Sequence, residues 1–211
     1  MPIFTLLFIT IFFTFGFYFF GRYICNLLNL NRLILHISLP QFQYISIGIS
    51  SILIFLYPLV FLGLIKPFFL KFISYLILFC GFMFCFSNFG SFKNNFLQIT
   101  KLMKISFFYK FFIFIIILYF FLSLSPVTDS DSFAYHLNIA KYILENGSFP
   151  FDTYTYSNSL AGIGELLIAL SLNVKAEQFG SFINFVGLIS IIGIILKFSN
   201  NIKINISIVN F

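Results

Sequence analysis

Acid is scarce in this chain. It carries six Asp and Glu among 211 residues, and all six fall between Asp129 and Glu177. Trp is absent, Cys is limited to three and charged residues make up 9%. A soluble globular domain is about a quarter charged. A chain that is 60% hydrophobic with 36 Phe is therefore excluded from that class, and burial in lipid is its way out of water. Cys25, Cys80 and Cys85 form no CxxC and have no His cluster beside them, so neither a disulfide framework nor a metal site is indicated. Cys80 and Cys85 lie inside an apolar run, where inert buried thiols are the ordinary expectation. The missing Trp accompanies a Phe-, Ile-, Asn- and Lys-rich composition typical of AT-rich coding sequence, and it carries no argument against a membrane interface.

What is present is a series of apolar runs. A straight helix needs roughly 20 residues to cross a hydrocarbon core. Ile3–Phe20, Tyr44–Ile65, Phe72–Phe86 (extendable back through Pro67–Lys71) and Phe107–Leu124 predict four crossings within residues 1–124. Phe182–Leu196 predicts a fifth, within a final segment 173–211. Leu160–Leu172 is apolar but shorter and contains Glu165, so residues 160–172 read as a juxtamembrane or partly inserted helix. The fold class expected is all-α, with multi-pass transmembrane helices and an outer amphipathic helix in the loop 125–159.

Basic residues set the orientation. No positive charge precedes the first run, whereas Arg22 and Arg32 follow it, which leaves the N-terminus outside a bacterial inner membrane. Lys93, Lys101 and Lys104 then mark a cytoplasmic loop, and Lys197 and Lys203 a cytoplasmic C-terminus. Loop 125–159 faces outward on this topology. The acidic stretch carries −4, from six carboxylates against Lys141 and Lys175, and the ten other Lys and Arg border apolar runs. They read as topology determinants and lipid-headgroup contacts, not as a nucleic-acid face.

The outer loop predicts a helix. Thr128 can cap it and Asp131 can complete a capping box, while Gly147 and Pro150 mark its stop. At 100° per residue, Asp131, Tyr135, Asn138, Tyr142 and Glu145 share one stripe. Phe133, Leu137, Ala140, Ile143 and Leu144 share the opposite face, and such a helix is expected to lie flat on the membrane. Each residue also has a plainer reading. Asp131 can be a helix cap, His136 a packed neutral imidazole, Lys141 and Glu145 a solvated pair and Asp152 a turn residue. Glu165 is harder to explain away, because an ionisable group in an apolar segment normally has a task or a partner.

Two segments carry a resemblance. Asp129-Ser130-Asp131-Ser132-Phe133-Ala134-Tyr135-His136-Leu137, continuing to Gly147, is followed by Gly164-Glu165-Leu166-Leu167 and by Glu177-Gln178-Phe179-Gly180. Together, over about Ser125–Lys197, these are similar to the first large outer loop and following helices of GT-C class glycosyltransferases. Those integral-membrane enzymes use polyprenyl-phosphate sugars to modify envelope glycans and lipids. The resemblance implies that Asp131 deprotonates the acceptor hydroxyl, or that Asp129 and Asp131 hold a divalent cation (Mg or Mn) beside the donor phosphate. A carboxylate at a low-dielectric boundary has a raised pKa, which suits a base. Tyr135, His136 and Glu165 would support the site and Lys141 would contact phosphate. Inversion at the anomeric carbon is the implied outcome, and no Gly-rich nucleotide loop is needed or present.

The implied enzymes are about twice this length or more, so the chain reads as an N-terminal portion, inactive alone or completed by a second chain. Two other classes compete. A membrane transport component would require ionisable residues deep in the first four crossings, where Lys110 near one end is the exception. A non-enzymatic scaffold subunit would tolerate Asp131→Asn but not a charge at Leu137 or Leu144. A glycosyltransferase predicts the reverse.

Overall fold

The computed structural model describes residues 3–28, 43–88, 107–125, 136–150 and 162–201. Among them every regular element is a helix: α1 (Ile3–Leu27), α2 (Gln43–Phe61), α3 (Pro67–Ser87), α4 (Phe107–Ser123), α5 (Leu137–Asn146), α6 (Ile163–Asn173) and α7 (Phe179–Asn201). Backbone removed from water must satisfy its polar groups within the segment, and a helix does so. The same constraint acts on hydroxyls in the apolar helices. Thr10, Thr14, Ser74 and Ser190 donate to the carbonyls of Leu6, Thr10, Leu70 and Val186, one turn back. Pro67 occupies the first position of α3, where its missing N–H has no intrahelical partner to lose.

Three of these helices are long and apolar enough to cross a membrane: Phe4–Leu27, Gln43–Phe61 and Pro67–Ser87, with mean hydropathies of 1.9, 2.0 and 2.1. They mark the chain as a membrane protein. α3 exposes Phe68, Phe72, Tyr75, Phe79, Phe82 and Phe86 along one stripe, a face that suits lipid and not water. The expected fourth and fifth crossings coincide with α4 and α7, whose described apolar stretches, Lys110–Ser123 and Phe179–Ile195, are shorter.

α1 is the centre of the first layer and packs on both α2 and α3. Gly21 lies against the Tyr44 backbone and Gly48 against Phe17, so α1 and α2 run antiparallel. Gly16 lies against the Ile77 backbone and Gly81 against Phe12, while Phe84 meets Phe15 and Tyr18 further along. Phe12 meets Phe82, Tyr18 meets Phe84, and the last turns of both helices share a cavity, so α1 and α3 run in the same direction. A Cβ at any of these four glycines would collide with backbone, so close helix approach depends on their lacking one.

The second layer sits at the end of the bundle that carries the α2–α3 turn. α5 packs on α6 and α3, and α6 packs on α2 and α3. Asn173 Nδ2 donates to Ser74 Oγ at 3.2 Å, which places the last turn of α6 beside a residue two turns, about 10 Å, inside α3. Phe179 then fits against Phe13 (centroids 4.9 Å apart, edge-on) and Phe17 (5.6 Å, stacked) of α1. The short helix expected at 160–172 is α6, docked against α2 and α3. α4 joins through Phe120, whose ring lies 5.5 Å from Phe185 and 6.0 Å from Phe182 of α7.

One expectation is corrected here. The apolar face of α5 was predicted to rest on the membrane surface. Instead Leu137, Ile139, Ala140 and Ile143 are buried in the core against α6 and α3. Of the expected polar stripe, Asn138, Tyr142 and Glu145 are exposed, and Asp131 and Tyr135 lie outside the described residues.

Candidate functional site

α5 carries the first half of the site. Its stop is local: Gly147 adopts a left-handed conformation (φ 71°) and its N–H bonds the Ile143 carbonyl. A Cβ there would also strike the Ile65 backbone, so Gly147 seats α5 on the α2–α3 turn. At the other end His136 already has helical dihedrals (φ −61°, ψ −43°). Asp129, Asp131 and Tyr135, with the proposed Thr128 cap and with Asp152, lie outside the described residues.

α6 supplies the second half. Glu165 is the third residue after Gly162, and its Oε2 accepts the Gly162 N–H at 2.8 Å. That is half of a capping box, because Gly162 has no side chain with which to reciprocate. Its other oxygen, Oε1, lies 2.8 Å from His136 Nδ1. The Glu165 side chain is 8% exposed and that of His136 is 40% exposed. Both carboxylate oxygens are therefore committed, one to its own helix and one to the neighbouring helix. A carboxylate only accepts, so Nδ1 is the donor in this contact and Glu165 holds the ring in place. The packed-imidazole reading of His136 gives way to this pairing. The partner expected for Glu165 is His136.

The pair borders a cleft of about 280 Å³, near the lower end of the range for small-ligand cavities, roughly 300–1,000 Å³. One wall is Leu137, Gly164 and Ile168; the other is Glu177, Gly180, Ser181 and Asn184. A Cβ on Gly164 would meet nothing within 4 Å, so that glycine leaves the wall open. Glu177, Ser181 and Asn184 were not nominated from the sequence, although their spacing (i, i+4, i+7) in an apolar segment was a legible signal of one polar helix face. Glu177 is the second carboxylate at the cleft. Lys141 is exposed on α5 and is not among the lining residues, nor is any other Lys or Arg among the described ones. Among the described residues no group of three His, Cys, Asp or Glu is placed to hold a metal. The sequence-nominated metal pair, Asp129 and Asp131, lies outside them.

Chemically, the arrangement offers an imidazole oriented by a buried carboxylate, and beside it a carboxylate, a hydroxyl and a carboxamide. That set can accept protons and hydrogen-bond hydroxyl groups. A family model described as the DUF1420 N-terminal domain matches residues 79–208, a span that contains every lining residue of the cleft. No curated protein and no solved structure matches the chain.

Proposed function

We propose that this chain, which belongs to the DUF1420 N-terminal domain family, forms the membrane-embedded part of a glycosyltransferase. The sugar would pass from a polyprenyl-phosphate donor to an envelope glycan or lipid hydroxyl. One observation carries the reading. His136 and Glu165, one from each of two segments on which the GT-C resemblance rests, lie 2.8 Å apart and border a common cleft.

In this reaction the acceptor oxygen attacks the anomeric carbon. The bond from that carbon to the phosphate oxygen breaks, and polyprenyl phosphate leaves with the electron pair. The acceptor proton goes to Asp131, five residues before His136. Glu165 fixes His136, and Glu177, Ser181 and Asn184 supply hydrogen bonds suited to sugar hydroxyls. Asp129 with Asp131 would hold a divalent cation if one takes part, and Lys141 or a second chain would meet the donor phosphate.

The test is transfer of radiolabel from a panel of polyprenyl-phosphate sugars into lipid and glycan fractions of membranes carrying the full chain. Asp131→Asn is expected to abolish transfer, and Glu165→Gln to lower it by about 10-fold or more while leaving the protein folded. Wild-type transfer by both variants, together with damage from a charge at Leu144, would overturn the enzyme and favour a scaffold.

A further inference from the structure

The end of the bundle opposite the cleft holds a second cavity, of about 420 Å³, between the C-terminal ends of α1 and α3. Its origin is geometric. α1 and α3 touch at Gly16 and Gly81, and beyond that crossing the rings of Phe15, Tyr18 and Phe84 hold the two helices apart. The space that opens has an apolar side, with Phe19, Tyr23 and Met83 all substantially exposed, and a polar side with Arg22, Ser87 and Asn88.

Three observations give this cavity a definite charge. Helix C-termini ordinarily present carbonyls that repel anions. Here Ser87 Oγ donates to the Met83 carbonyl and Asn88 Nδ2 to the Phe84 carbonyl, both at 2.9 Å, while the Asn88 N–H also bonds the Phe84 carbonyl. Arg22 is the one formal charge lining the cavity, and Tyr18 lies close enough to feel it electrostatically. Finally, no carboxylate in the sequence precedes Asp129, and the described acids, Glu145, Glu165 and Glu177, belong to the helices and turn at the other end. The segments leaving this end, 29–42 and 89–106, add Arg32, Lys93, Lys101 and Lys104 in sequence and no acid. No described acid lines the cavity with Arg22.

We propose that this cavity binds the phosphate headgroup of an anionic phospholipid. Arg22 pairs with the phosphate, and Phe19, Tyr23 and Met83 flank the glycerol and upper acyl chains. A guanidinium beside aromatic and thioether surface, open to the side of an apolar bundle, suits a ligand with an anionic head on an apolar body. A free anion would satisfy Arg22 and leave the apolar wall uncovered. The site lies far from His136 and Glu165 and does not depend on the reaction catalysed there.

Lipid retention tests it. The full chain is purified in mild detergent with phosphatidylglycerol or phosphatidylcholine, and bound lipid is counted by native mass spectrometry. Wild type is expected to retain phosphatidylglycerol preferentially. Arg22→Gln should weaken that retention by about fivefold, the effect of one basic residue at a membrane surface. Lys110→Gln, which removes a basic residue on α4, should leave it unchanged. Equal retention by wild type and Arg22→Gln, or an equal loss in Lys110→Gln, would overturn the site. Full displacement of the lipid by millimolar inorganic phosphate would show a free-anion site instead.

Discussion

Replacing Glu165 by Ala removes two contacts with different surroundings, and their sizes can be separated. The bond from Gly162 N–H to Oε2 closes the first turn of α6, and losing such a contact at a helix start costs about 1 kcal/mol. The 2.8 Å contact of Oε1 with His136 Nδ1 involves a charged acceptor, for which about 1.5–3 kcal/mol is usual. Because the His136 side chain is 40% exposed, water can replace part of it, and about 1 kcal/mol is the appropriate size. Glu165→Ala should therefore destabilise the protein by about 2 kcal/mol. Glu165→Gln keeps an oxygen for the Gly162 N–H and can donate its amide to His136 once the imidazole hydrogen moves to Nε2, and should cost about half as much. In a double-mutant cycle with His136→Ala, the coupling should be about 1 kcal/mol. The assay is equilibrium unfolding in mixed micelles followed by circular dichroism, since the chain has no Trp to report by fluorescence. Additivity within about 0.3 kcal/mol would show that the pairing contributes nothing and would refute the reasoning.

Gly81→Val puts a branched side chain where even a Cβ would strike the Phe12 carbonyl, and should separate α1 from α3 at a cost of about 1–3 kcal/mol. Protease resistance in detergent checks it, and unchanged digestion would mean that the crossing is not a close one. Gly147→Ala should cost about 1–2 kcal/mol through its left-handed backbone (φ 71°) and its contact with the Ile65 carbonyl. Unfolding midpoints measure this, and a neutral substitution would contradict the seating of α5 on the α2–α3 turn.

The relation between sequence and structure is clearest in α5. Its amphipathicity placed Asn138, Tyr142 and Glu145 on the exposed side and put its end at Gly147, because periodicity and left-handed glycine are properties of neighbouring residues. The same periodicity could not tell lipid from protein as the cover for Leu137, Ala140 and Ile143, since both are apolar. Packing against α6 and α3 decided that. Glu165 shows the complementary case. Its place in an apolar segment demanded a partner, which made it legible as a residue of interest. Its partner lies 29 residues away in sequence and was identified only by the docking of two helices.

By itself, then, the sequence determined that this is a helical membrane chain, where its apolar helices run and that its acids collect between Asp129 and Glu177. Those follow from hydropathy and short-range geometry. The tertiary structure decided which polar groups meet: His136 with Glu165, Asn173 with Ser74, and the His136–Glu165 pair with Glu177, Ser181 and Asn184 around one cleft. It also left Arg22 at the opposite end, away from every described acid. Such meetings depend on how helices pack across the bundle, where side chains distant in sequence approach within a hydrogen bond and no local pattern records it.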